Sequence, residues 1–111
     1  MLRKLGAVAA TAAVGVAVAV VPAHAGSSKT VSVKNNAFSP KTVNVKKGGK
    51  VVWKWTQGGV PHNVTPANGN PGSKTSSKKG FTFTKAFPKA GTFKYVCTIH
   101  PAAMKMTVKV S

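Results

Sequence analysis

The sequence predicts an all-β fold, an antiparallel sandwich of about seven short strands. Three observations carry this: period-two alternation recurs along residues 26–111, turn signals fall at short intervals, and no long stretch shows helical period. Val31 and Val33 share one face of the first strand, with Ser32 between them. Val43 and Val45 mark a second strand beyond Ser39-Pro40, and Val51, Trp53 and Trp55 mark a third beyond Lys47-Gly48-Gly49. Phe81 and Phe83 alternate with Thr82 and Thr84. Phe93, Tyr95 and Cys97 share a face, and so do Met106, Val108 and Val110. Gly69-Asn70-Pro71-Gly72 and Pro88-Lys89-Ala90-Gly91 supply further turns, and Thr65 to Lys79 is the one long polar excursion. Trp53, Trp55, Phe81 and Phe83 are expected to fill the space between two sheets.

Composition narrows the chemistry. The 111 residues contain 17 Lys and Arg, 3 His, 1 Cys and no Asp or Glu. Carboxylate acid/base pairs, a Ser-His-Asp triad and carboxylate cages for Ca²⁺ or Mg²⁺ are therefore excluded. A hydrophobic content of 42% is too high for a disordered polycation, although a formal charge of +17 makes the chain self-repelling and points to acidic partners.

Residues 1–25 read as a secretory signal: Arg3-Lys4, an apolar run from Leu5 to Val21, and a small-x-small cleavage element at Ala23-His24-Ala25. Residues 26–111 then form a single domain, exported to the periplasm or outside the cell. No Cys follows the apolar run to accept a lipid, and Arg3-Lys4 is not a twin-Arg pair, so export in the unfolded state is expected. The domain retains fifteen Lys, two His, two Met and a lone Cys97, which cannot form an internal disulfide.

Cys97, His100 and Met104 lie within eight residues at a strand end and loop, and His62 lies 35 residues upstream of Cys97. Each alone has an ordinary explanation in packing or surface chemistry. Together they place the domain's only thiol and both its imidazoles in two loops expected at one end of the sandwich. A thiolate and two imidazoles with a weak thioether suit copper cycling between Cu(I) and Cu(II), with zinc a tolerable substitute. Met106 competes with Met104 for the thioether position, but its strand phase puts it with the core residues Val108 and Val110.

The chain resembles a small blue copper protein, a cupredoxin of the plastocyanin/amicyanin type, over nearly all of residues 29–111. The residues that carry the resemblance are Asn36-Ala37-Phe38-Ser39-Pro40, Val45-Lys46-Lys47-Gly48, Val51-Val52-Trp53, Pro61-His62-Asn63-Val64, and Gly91 through Cys97 running into Thr98-Ile99-His100-Pro101. The resemblance implies a cupredoxin-like Greek-key sandwich holding one type 1 copper ion. His62, Cys97 and His100 would be its ligands, with Met104 axial and Asn63 tying the two ligand loops together. It also implies electron exit through His100 at an apolar patch in which Pro61, Pro101, Ala102 and Ala103 take part. Three residues separate His100 from Met104, against two in amicyanin-like members and four in plastocyanins.

The expected function is a non-enzymatic, monomeric relay of single electrons between redox partners, acidic ones given the lysines, with weak association with an anionic envelope. A secreted copper carrier or storage protein is the alternative, and a polyanion-binding basic domain a further one. Lysine without arginine gives point charges, so specific nucleic-acid recognition is not expected.

Overall fold

The computed structural model describes residues 27–111, and the expected signal segment at 1–25 lies outside the described residues. The described residues contain eight strands: β1 (Ser28–Lys34), β2 (Ala37–Ser39), β3 (Thr42–Val45), β4 (Gly49–Trp55), β5 (Thr65–Pro66), β6 (Thr82–Phe87), β7 (Gly91–Val96) and β8 (Lys105–Val110). They form two four-stranded sheets, ordered β2-β1-β4-β6 and β3-β8-β7-β5.

Alternation gives each sheet one apolar face, and the two apolar faces meet. Val31, Val33, Val51, Trp53 and Trp55 come from the first sheet, and Val43, Val45, Tyr95, Met106, Val108 and Val110 from the second; all are buried. The Trp53 ring packs 5.1 Å from Tyr95 and 5.7 Å from Phe83, centroid to centroid. Its indole N–H donates to the Met106 sulfur at 3.0 Å, which satisfies the one polar atom of that buried ring. Trp53 and Trp55 are fully buried, whereas Phe81 and Phe83 pack against the core from its margin.

Two pairings correct the expectation of a purely antiparallel sandwich: β1 runs parallel to β4, and β3 runs parallel to β8. The reason is the crossover. After β2 the chain leaves the first sheet to lay down β3 in the second, then returns as β4 beside β1 in the original direction. Strand phase says which face a residue takes but not which strand lies alongside it. Two short strands, β2 and β5, also escape the sequence reading. β1 and β2 form a hairpin whose loop is Asn35-Asn36, both at positive φ (52° and 53°), as a type I′ turn requires. At the Lys47-Gly48-Gly49 turn, Gly48 supplies a φ of 86° while the Gly49 N–H bonds the Lys46 carbonyl.

Candidate metal centre

Two connections meet at one end of the sandwich. One leads from β4 to β5 and carries His62; the other leads from β7 to β8 and carries Cys97, His100 and Met104. The second is a tight loop closed on itself. The Cys97 N–H bonds the Met104 carbonyl at 3.0 Å, the His100 N–H bonds the Cys97 carbonyl at 3.2 Å, and the Met104 N–H bonds the His100 carbonyl at 2.9 Å. A three-residue step between Cys97 and His100 makes one turn, which brings the imidazole back over the sulfur. His100 Nδ1 lies 3.7 Å from Cys97 Sγ.

His62 is fixed by backbone pairing with Ser76: its N–H bonds the Ser76 carbonyl at 3.0 Å, and the Ser76 N–H returns to the His62 carbonyl at 2.9 Å. The Ser76 carbonyl also accepts the Trp55 indole N–H at 2.8 Å, which anchors this loop to β4. Thus the polar excursion expected over Thr65 to Lys79 is partly structural. It contributes β5 and packs back on the His62 segment, where Gly72 passes so close to Val64 and Thr65 that a Cβ would overlap the backbone.

Asn63 spans the two loops. Its amide N–H₂ donates to the hydroxyls of Thr98 (2.8 Å) and Thr75 (3.0 Å), and its carbonyl oxygen accepts from the Thr98 backbone N–H (3.0 Å) and the Thr65 hydroxyl (2.8 Å). Thr65, Thr75 and Thr98 were not singled out in the sequence. The available signal was position: Thr98 follows Cys97 directly as Asn63 follows His62, so their side chains share the gap behind the two neighbours.

The donor atoms of His62, Cys97 and His100 all lie within 4.8 Å of one another. His62 and Cys97 are buried, and His100 is half-buried. His62 Nδ1 is a buried polar atom with no hydrogen-bond partner, although buried polar groups are normally satisfied. Burial, and secondarily the charge of His100, holds the His62 pKa below the usual 6.5, so the ring keeps its lone pair. A free lone pair, a second imidazole and a buried free thiol are the donor set that a soft metal ion satisfies, and the residues present fit copper. Met104 is fully buried and its backbone is bonded to both Cys97 and His100, whereas the Met106 sulfur is engaged by Trp53. Pro61, Pro101, Ala102 and Ala103 are exposed around this end, joined by the exposed Val60 and Ile99.

Comparison with known proteins agrees with this chemistry. Residues 25–111 match the family described as copper binding proteins, plastocyanin/azurin family. Amicyanin-alpha of Methylorubrum extorquens is 36% identical over 104 residues, covering 87% of this chain and 85% of that protein. Among solved structures, an oxidised proline-to-glycine variant of amicyanin superposes with a TM-score of 0.67 at 27% identity, covering 76% of this chain and 82% of its own. A purple cupredoxin from Nitrosopumilus maritimus gives a TM-score of 0.63 at 25% identity, over 75% of this chain and 99% of its own. With a two-sheet fold and a thiol and two imidazoles gathered at one end, the chain belongs to the plastocyanin/azurin family of copper-binding proteins.

Proposed function

We propose that this protein relays single electrons between redox partners through one copper ion that His62, Cys97 and His100 would hold, with the Met104 thioether as a further, weak donor. The observation that supports it is the buried, unpartnered Nδ1 of His62 facing a set whose other members are a buried thiol and a second imidazole. When bound in such a set, copper supplies a one-electron couple between Cu(II) and Cu(I).

The chain's own residues do the rest. Cys97 enters the site as a thiolate, and both imidazoles must be neutral, so protons compete with the metal. The closed Cys97–Met104 loop and the Asn63 bridge hold the donors in one arrangement whatever the oxidation state, which keeps reorganisation small. Asn63 also engages the Thr98 N–H and hydroxyl, next to the sulfur-bearing residue. His100 is the one donor residue with substantial solvent exposure, and the apolar rim of Pro61, Pro101, Ala102 and Ala103 gives a partner a desolvated surface to dock on. Fifteen lysines, with no carboxylate to oppose them, would steer acidic redox proteins towards it. The reading includes export after removal of residues 1–25 and action as a monomer without substrate turnover.

The test is to add Cu(II) to residues 26–111 and record the intense visible thiolate-to-copper band, then repeat with Cys97→Ser. The band is expected in the parent and absent in the variant; a band that survives the substitution overturns the ligand set. Rapid electron self-exchange with slow copper release to a chelator supports the relay, and the reverse supports a carrier.

A further inference from the structure

His62 is held differently from the other two donors. Cys97 and His100 belong to a loop closed by its own backbone bonds, whereas His62 Nδ1 has no hydrogen-bond partner and the His62 backbone rests on an isolated bridge to Ser76. Where that nitrogen stands therefore depends on what fixes Ser76. Residues 76–81 form a strap that returns to the end of β4, and Trp55 grips it at both ends. The Trp55 backbone N–H donates to the Phe81 carbonyl at 2.9 Å, its carbonyl accepts the Gly80 N–H at 2.8 Å, and its indole N–H donates to the Ser76 carbonyl at 2.8 Å. The Trp55 ring also meets the Phe81 ring edge-on, with centroids 4.7 Å apart.

We infer that, given the copper reading above, Trp55 is a positioning residue for the metal centre: its indole N–H, acting through the Ser76 carbonyl, sets where His62 Nδ1 stands relative to Cys97 and His100. A carbonyl oxygen has two lone pairs, and that of Ser76 spends one on the His62 N–H and the other on the indole N–H. Through this single oxygen the ligand-bearing segment is referred to a fully buried ring, packed in a core that resists displacement. The remaining bonds of the strap do not replace it. The Gly59 N–H reaches the Ser77 carbonyl, but Gly59 and Ser77 are both exposed, and the Lys78 N–H bonds the Ser76 hydroxyl, not its carbonyl.

Asn63 ties the His62 loop to the Cys97 loop, and Trp55 ties it to the first sheet. Two ties in different directions fix a segment that either alone would leave free to pivot. Trp53 supplies the contrast within the same molecule. It lies on the same strand and the same inner face and is equally buried, but its indole N–H goes to the Met106 sulfur inside the core. Packing does not distinguish the two tryptophans; the acceptor does.

The test is a matched pair, Trp55→Phe and Trp53→Phe, each deleting one indole N–H from the same strand. Amide hydrogen exchange is followed in the metal-free protein, and the visible band and copper release in the loaded one. Trp55→Phe is expected to speed exchange of the His62 amide at least tenfold relative to amides of β8. It should also shift the visible band and quicken release of copper to a chelator about tenfold. Trp53→Phe should lower the melting temperature too, yet leave the band, the release rate and the relative exchange of the His62 amide as in the parent. Because the smaller ring also leaves a void, a second variant places the benzothiophene analogue of tryptophan at position 55, keeping the bicyclic shape and exchanging the N–H for sulfur. It should reproduce the Trp55→Phe pattern with a smaller fall in melting temperature. Parent-like exchange at His62 and an unmoved band in the analogue would overturn the assignment. So would equal responses from the two Phe variants, which would reduce the effect to a general loss of stability. If the parent itself gives no visible band, the copper reading fails, while exchange at His62 still decides whether Trp55 holds this segment.

Discussion

Asn63→Ala is the substitution that best probes how the centre is built. Asn63 is 5% exposed and makes four side-chain hydrogen bonds, two of them to Thr98 across the gap between the ligand loops. A net value of about 1 kcal/mol per bond gives about 4 kcal/mol. The Thr65, Thr75 and Thr98 hydroxyls belong to half-buried or exposed residues and regain water, which lowers the loss to about 3 kcal/mol. In a domain of this size each kcal/mol moves the melting temperature by about 4–8 °C, so a fall on the order of 15 °C is expected for the apo protein. Thr98→Val removes the hydroxyl but leaves the backbone bond, so it should cost about 1 kcal/mol. Because both changes break the same bridge, the double variant should fall short of their sum. Copper release to a chelator should accelerate 10- to 100-fold in Asn63→Ala, since the loops that hold the donors lose their tie. Calorimetry of the apo and copper-loaded forms, with stopped-flow release, checks both. A melting point within about 3 °C of the parent and unchanged release would refute the idea that Asn63 couples the loops.

Other expectations follow from the same structure. Met104→Leu should shift the visible spectrum and reduction potential of the copper form while costing little stability, whereas Met106→Leu should leave the spectrum alone and lower stability by about 1–2 kcal/mol, because the buried Trp53 N–H loses its acceptor; the opposite pattern would exchange their roles. The apo protein should lose stability as pH falls below 6.5 and through the depressed folded-state value of His62, since the unfolded ring binds a proton first; with no Asp or Glu there should be no further steep loss in the carboxylate range, as urea midpoints against pH would report. Tyr95 is the only tyrosine, and burial pushes its pKa up to about 12, so tyrosinate absorbance should rise near that pH, and its contribution to stability should be lost as pH climbs from 10. Gly72→Ala should force the 72–76 segment off Val64 and Thr65, exposing the His62 amide to hydrogen exchange at least tenfold faster, with less effect on amides of β8.

The metal centre was legible in the sequence because its chemistry is scarce: one thiol and two imidazoles in residues 26–111 leave few ways to be arranged. Turn signals and strand phase placed most of the core, and Trp53, Trp55 and Val108 lie where their alternation put them. Strand neighbours were less legible. Nothing local in Val31-Ser32-Val33 announces that it will run parallel to Val51-Val52-Trp53, because that pairing depends on β2 and β3 crossing between sheets first. β5 is two residues long and has no period to read, and Asn35-Asn36 is a hairpin signal that alternation alone passes over. The bridge from Asn63 to Thr98 was only half visible. Its Asn could be named, but threonine is common on strands, and a hydroxyl acquires its role only once the second loop has arrived.

In the second sheet the final strand is an inner one: β8 lies between β3 and β7. A chain emerging from its amino terminus can complete the first sheet by residue 87, yet β3 and β7 have nothing to join them until Lys105–Val110 is free. The Cys97–Met104 loop is pinned at its far end by that same β8. Ion loading must therefore wait for β8, and a nascent or truncated chain that lacks it presents its thiol on an unclosed loop. A stop codon anywhere before Lys105 would erase half of the molecule's architecture, not merely shorten it.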